Sequence, residues 1–199
     1  MTGKITKIEA AQRQLVTAIE LFLRGGDPVS VFSLATNSWE VIDALCTKEG
    51  IDSISNETRD HITTGHDLKK DLINSPYRNF FKHADRDPDA ELEGFSDSEN
   101  DHIIFLAVED YIRLNKKSPV EFQVYQLWYL SINTDKVAHE ALADILSATE
   151  IMFPAIKEQE REQQKLMAVQ AINDAHGDRE LNDNPQVENA YHRLFEPSA

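Results

Sequence analysis

Apolar residues return every three or four positions between Ile8 and Phe22 and again between Val31 and Leu45, with Gly25-Gly26-Asp27-Pro28 between the two runs. This is the pattern of two amphipathic helices, and so short a turn makes them antiparallel neighbours. The first stripe is Ile8, Ala11, Leu15, Ala18, Ile19 and Phe22, with Gln12, Arg13, Glu20 and Arg24 on the remaining face. The second runs through Val31, Leu34, Ala35, Ser38, Val41, Ile42 and Leu45. Asp27 is a good N-cap, and Pro28 suits the first helical position. Three- and four-residue spacing persists along the chain, interrupted by only seven glycines and seven prolines. The expected fold is therefore all-α, a bundle of about six to eight helices that opens with an antiparallel αα-hairpin. A length of 199 residues, 41% of them apolar, is enough to bury a sizeable core.

Residues 48 to 65 are polar and read as a loop with a weak helix near Glu57 to Thr63. Asn74-Ser75-Pro76 reads as a stop and restart, with helix expected from Tyr77 to Ala84. Further helices are expected at 99 to 115, at Val120 to Ile132, from Asp135 to about Phe153, and from Pro154 to Ala175. On the last of these, Glu158 with Arg161 and Glu162 with Lys165 are expected to pair on an outer face. The domain reading is a core over 1–135, additional C-terminal helices over 136–177, and a polar tail, mobile or docked, over 178–199. Within that tail Val187 to Phe195 has the apolar residues for a short helix.

The net charge of −15 opposes nucleic-acid binding over the whole surface. Much of it is local. Residues 85 to 101 hold eight acids against Arg86, whereas residues 66 to 84 hold Lys69, Lys70, Arg78 and Lys82 against two acids. Cys46, the single cysteine, lies at an apolar helical position and asks for no oxidising compartment. No apolar window reaches membrane-spanning length and Met1 to Lys7 lacks a signal core, so a cytoplasmic protein without membrane contact is expected.

No metal and no cofactor is expected. Asp85, Asp87 and Asp89 alternate as in a cation loop, but Ala90 and Ser96 stand where an EF-hand needs glycine and an acid. His61 and His66 are five apart, and His102, His139, His176 and His192 are scattered. Phe122, Tyr125, Trp128 and Tyr129 lack the lysines and arginines of a nucleic-acid groove and read as core or dimer interface.

Chemistry concentrates in Arg78-Asn79-Phe80-Phe81-Lys82-His83. Arginine offers planar bidentate donors to a phosphate, Asn79 adds an amide beside it, Lys82 adds a second cation, and a histidine ordinarily titrates near neutrality. Positions five apart on one helix diverge by about 140°, so joint use of Arg78 and His83 calls for convergence from two chains.

The spacing of Arg78 and His83, with Asn79 directly after the arginine, resembles the shortest form of the HEPN superfamily motif. The Asp-Pro-Val-Ser junction at Asp27 to Ser30 and the block from Arg78 to Pro88 also resemble an uncharacterised group of bacterial helical proteins, over roughly the first 130 residues. The resemblance implies a homodimer with facing motifs and a metal-independent endoribonuclease of toxin or defence type, with RNA or an antitoxin as partner. Arg78 would hold the scissile phosphate, His83 would act as acid or base, and Asn79 would orient them.

The alternative is a non-catalytic helical interaction or nucleotide-binding protein with a structural Arg78–His83 block. In that arrangement Phe80 and Phe81 pack inward, Arg78 pairs with Asp85 or Asp87, and His83 caps the helix end.

Overall fold

A computed structural model of the chain describes residues 4–189. Among these residues the chain is all-α, with eight helical segments of seven residues or more and no strand. Part of the expected Val187 to Phe195 helix lies outside the described residues.

Helix α1 (Lys7–Leu23) begins at a capping box: the Thr6 amide donates to Glu9 at 2.7 Å, and the Glu9 amide donates to the Thr6 hydroxyl at 3.3 Å. Gly25 then takes φ +69°, and a Cβ on Gly26 would lie 2.9 Å from the Leu21 carbonyl oxygen. Both positions thus require glycine. Asp27 accepts the Ser30 amide at 2.8 Å and opens α2 (Pro28–Glu49), antiparallel to α1. Gln12, expected on the polar face, is instead fully buried and donates to the Tyr111 hydroxyl at 3.0 Å.

Helix α3 (Ile54–His61) starts earlier than the expected weak helix because Ser53 caps it, accepting the Asn56 amide at 3.2 Å. The chain then forms helical turns over Leu68–Arg78, broken at Ser75, and a short helix α4 (Asn79–Lys82). Helices α5 (Asn100–Asn115) and α6 (Val120–Ile132) follow. Phe22 lies at the centre of the core, with Tyr125 and Trp128 edge-on at 5.8 and 5.6 Å between ring centroids. Burial of such side chains stabilises the fold by about 1.5–3 kcal/mol each.

Helix α7 (His139–Met152) contributes no buried side chain. The expected Pro154–Ala175 helix begins only at Arg161: α8 spans Arg161–Gly177. Phe153, disfavoured from helical geometry by the proline that follows, leaves the helix and is fully buried, and Ala155 adopts φ +54°. Arg161 and Lys165 do not pair outward with Glu158 and Glu162. Arg161 binds Asp97 and Asp101, both at 2.6 Å, and Lys165 binds Asp97 at 2.5 Å with its ammonium 3.9 Å from the Phe22 ring centre. Two acids of the acidic run therefore fasten α8 to the start of α5. After α9 (Arg179–Asn182), Ser118 donates to Gln186 at 3.1 Å and accepts from Glu188 at 2.9 Å, which docks the described part of the tail on the α5–α6 turn.

Candidate functional site

The motif is positioned by a break. Asp67 starts the Leu68 segment by accepting the Lys70 amide at 2.7 Å, and Leu68 and Ile73 bury their side chains. Ser75, preceding proline, is extended at φ −111°, ψ 136°. Helical geometry resumes in time to place Tyr77 and Phe81, four apart, on one face. Their rings meet Phe32 of α2 edge-on at 5.7 and 6.0 Å and Phe95 at 4.8 and 5.0 Å. Phe81 thus packs inward, with Phe80 edge-on to it at 6.0 Å. Edge-to-face contacts of this kind add about 0.5–1.5 kcal/mol each beyond burial.

With Tyr77 and Phe81 turned into the aromatic cluster, Arg78 lies against α2. Its side chain is 11% exposed and forms an ion pair with Glu40. One terminal nitrogen donates to Asn74 Oδ1 at 3.0 Å, and the other also approaches Asn37 Oδ1 at 3.3 Å. The expected structural partners Asp85 and Asp87 are thus replaced by Glu40, while the arginine Nε is buried without a hydrogen-bond partner. Lys69 binds the same carboxylate. The Lys69 hydrogen bond, with the charge of Arg78, holds Glu40 below the ordinary carboxylate range against partial desolvation.

His83 closes α4 with its amide, which donates to the Asn79 carbonyl at 3.0 Å. Its backbone then leaves helical geometry, and its ring Nδ1 lies 3.8 Å from Asp85, an exposed acid. The imidazole is about one-third exposed, at 34%. Lys82 is exposed and Asn79 half-buried. Arg78 and His83 are therefore engaged separately, the first by α2 and the second by the acidic loop. Glu40, the residue that decides what Arg78 can do, carries only a weak sequence signal: it stands three positions after Asn37, on the same face of α2.

The remaining candidate chemistry is structural in its contacts. Trp128 donates its indole N–H to the Gln164 carbonyl at 2.9 Å from inside the core. Asp110, fully buried, accepts the Ser55 hydroxyl and, at 3.2 Å, the Ser55 amide, while Trp39 donates to that hydroxyl at 2.9 Å. Burial raises the Asp110 carboxyl to about 6. Burial likewise pushes the Cys46 thiol up to about 12, which leaves it a poor nucleophile. Among the described residues no three His, Cys, Asp or Glu side chains are grouped to hold a metal, and no helix is long and apolar enough to cross a membrane.

The chain matches no family model, no curated protein and no solved structure.

Proposed function

We propose that this chain is a non-catalytic, HEPN-like helical interaction protein in which the Arg78–His83 block fastens the broken helical segment to α2. The observation that carries this reading is the engagement of Arg78, 11% exposed, by Glu40 with Asn37 and Asn74 alongside. A phosphate would have to displace a carboxylate from a sheltered guanidinium, and its approach would be opposed by Asp85, Asp87 and Asp89 in the exposed loop beyond His83. The same reading retains the homodimer that the resemblance implies, in the cytoplasm, and sedimentation of the full chain tests the dimer.

The ribonuclease reading draws on a different observation, the one-third exposed His83 beside exposed Lys82. It requires Arg78 to exchange Glu40 for the substrate phosphate. The two readings separate in a metal-free cleavage assay on a mixed-sequence RNA with wild type, His83→Ala and Glu40→Gln. The structural reading predicts no cleavage above buffer for any of them. Wild-type cleavage that His83→Ala abolishes while remaining folded, and that Glu40→Gln enhances by freeing Arg78, would overturn it.

A further inference from the structure

A cavity of about 510 Å³ lies between the broken helical segment and the helices behind it. Phe32, Ile54, Leu68, Ile73, Ile103 and Leu106 form its apolar walls. This volume and lining fall in the range of small-molecule sites, which are mostly apolar with a few convergent polar groups. Here those groups are Tyr129, Lys136 and His102.

Their contacts leave one proton to donate in one tautomer of His102. Lys136 Nζ lies 3.5 Å from His102 Nε2 and 3.2 Å from the Tyr129 hydroxyl oxygen, and His102 Nδ1 lies 2.7 Å from that same oxygen. In the tautomer that carries its proton on Nδ1, Nε2 accepts from the Lys136 ammonium, which only donates, and Nδ1 donates to the Tyr129 oxygen. Desolvation and the Lys136 charge lower the His102 pKa, in keeping with a neutral ring. In that tautomer the Tyr129 oxygen accepts from both neighbours, and neither can accept the hydroxyl proton in return. That proton remains for a ligand, and burial keeps the phenol protonated by raising its pKa. Phe105 stacks on the Tyr129 ring at 4.0 Å and 17°, holding it in place. Glu99 also lines the cavity, and burial together with the Glu99 charge raises the pKa of the Tyr77 phenol.

We propose that this cavity binds a small apolar carboxylate, its body among the apolar walls and its carboxylate accepting from Tyr129 Oη and Lys136 Nζ. The lysine supplies charge complementarity from partners that are themselves neutral, and the tyrosine supplies direction. The site is independent of the role assigned to Arg78.

Calorimetric titration of the full chain with sodium octanoate and with 1-octanol tests it. Octanoate is expected to bind about tenfold more tightly than the alcohol, the advantage of charge-assisted hydrogen bonds over neutral ones. Lys136→Met, at an exposed position, and Tyr129→Phe should each remove most of that advantage, weakening octanoate more than octanol. Leu106→Trp, which fills the cavity, should weaken both ligands. Equal binding of the two ligands to wild type, octanoate binding that Lys136→Met leaves intact, or no binding of octanoate at all would each overturn the proposal.

Discussion

Arg78 and Asp110 show how one side chain's surroundings decide its chemistry. Arg78 stands at motif spacing from His83, yet its guanidinium is held by Glu40 from a helix that ended nearly twenty residues before the motif segment began. The sequence displays the spacing and the residue types, and these are correctly placed on a helix end. It does not display the partner, because ion pairing across elements depends on which faces pack, and here the aromatic pair Tyr77 and Phe81 determines that face. Asp110 is a helix residue with no local mark of burial, but it is fully buried and its carboxyl is raised to about 6. A raised folded-state pKa means that the folded chain binds this proton more tightly than the unfolded chain, so the aspartate's contribution to stability falls as pH rises from about 4 through about 6. Asp110→Asn removes that titration. The stability difference, mutant minus wild type by urea unfolding, should rise by on the order of 3 kcal/mol across that window and be flat above it. A difference that does not change with pH would contradict the raised carboxyl.

Elements marked by caps and breakers were the most legible. Asp27-Pro28 and Ser75-Pro76 identify a start and a break because their backbone restrictions are local. The α7–α8 region was less so: Pro154 marks the exit at Phe153, but helical periodicity hides the delay of α8 to Arg161. Arg161 and Lys165 were misread for the same reason. Local spacing favours Glu158 and Glu162, whereas the fold places Asp97 and Asp101 opposite them, again four apart. The helices also differ in how they are held. Helix α7 has no buried side chain and leaves Leu146, Ile151 and Met152 exposed, while α1, α2, α5 and α6 each bury several. Local opening follows buried contact, so amides of α7 should exchange with deuterium well ahead of those of α1, α2 and α5. Equal protection of α7 in the isolated chain would contradict this ranking.

At the scale of the molecule, the all-α class was legible because helical periodicity recurs along the chain and glycine and proline are few. The net charge of −15 was equally plain, but its distribution was not: Asp97 and Asp101 belong to the ion pairs that fasten α8, while Asp85 to Glu91 remain exposed. The broken segment with its motif is joined to this bundle through the aromatic cluster and through Glu40, and its aromatic side closes the cavity proposed for an apolar carboxylate. The central claim is that Arg78 works as part of this joint. A double-mutant cycle of Arg78→Ala and Glu40→Ala, read by global urea unfolding, tests it most directly. The account predicts that Arg78→Ala destabilises the chain by about 2 kcal/mol and that the two substitutions couple by about 1 kcal/mol, since each removes the other's partner. A neutral or stabilising Arg78→Ala with no coupling to Glu40→Ala, as expected of a residue retained for activity at the expense of stability, would contradict it.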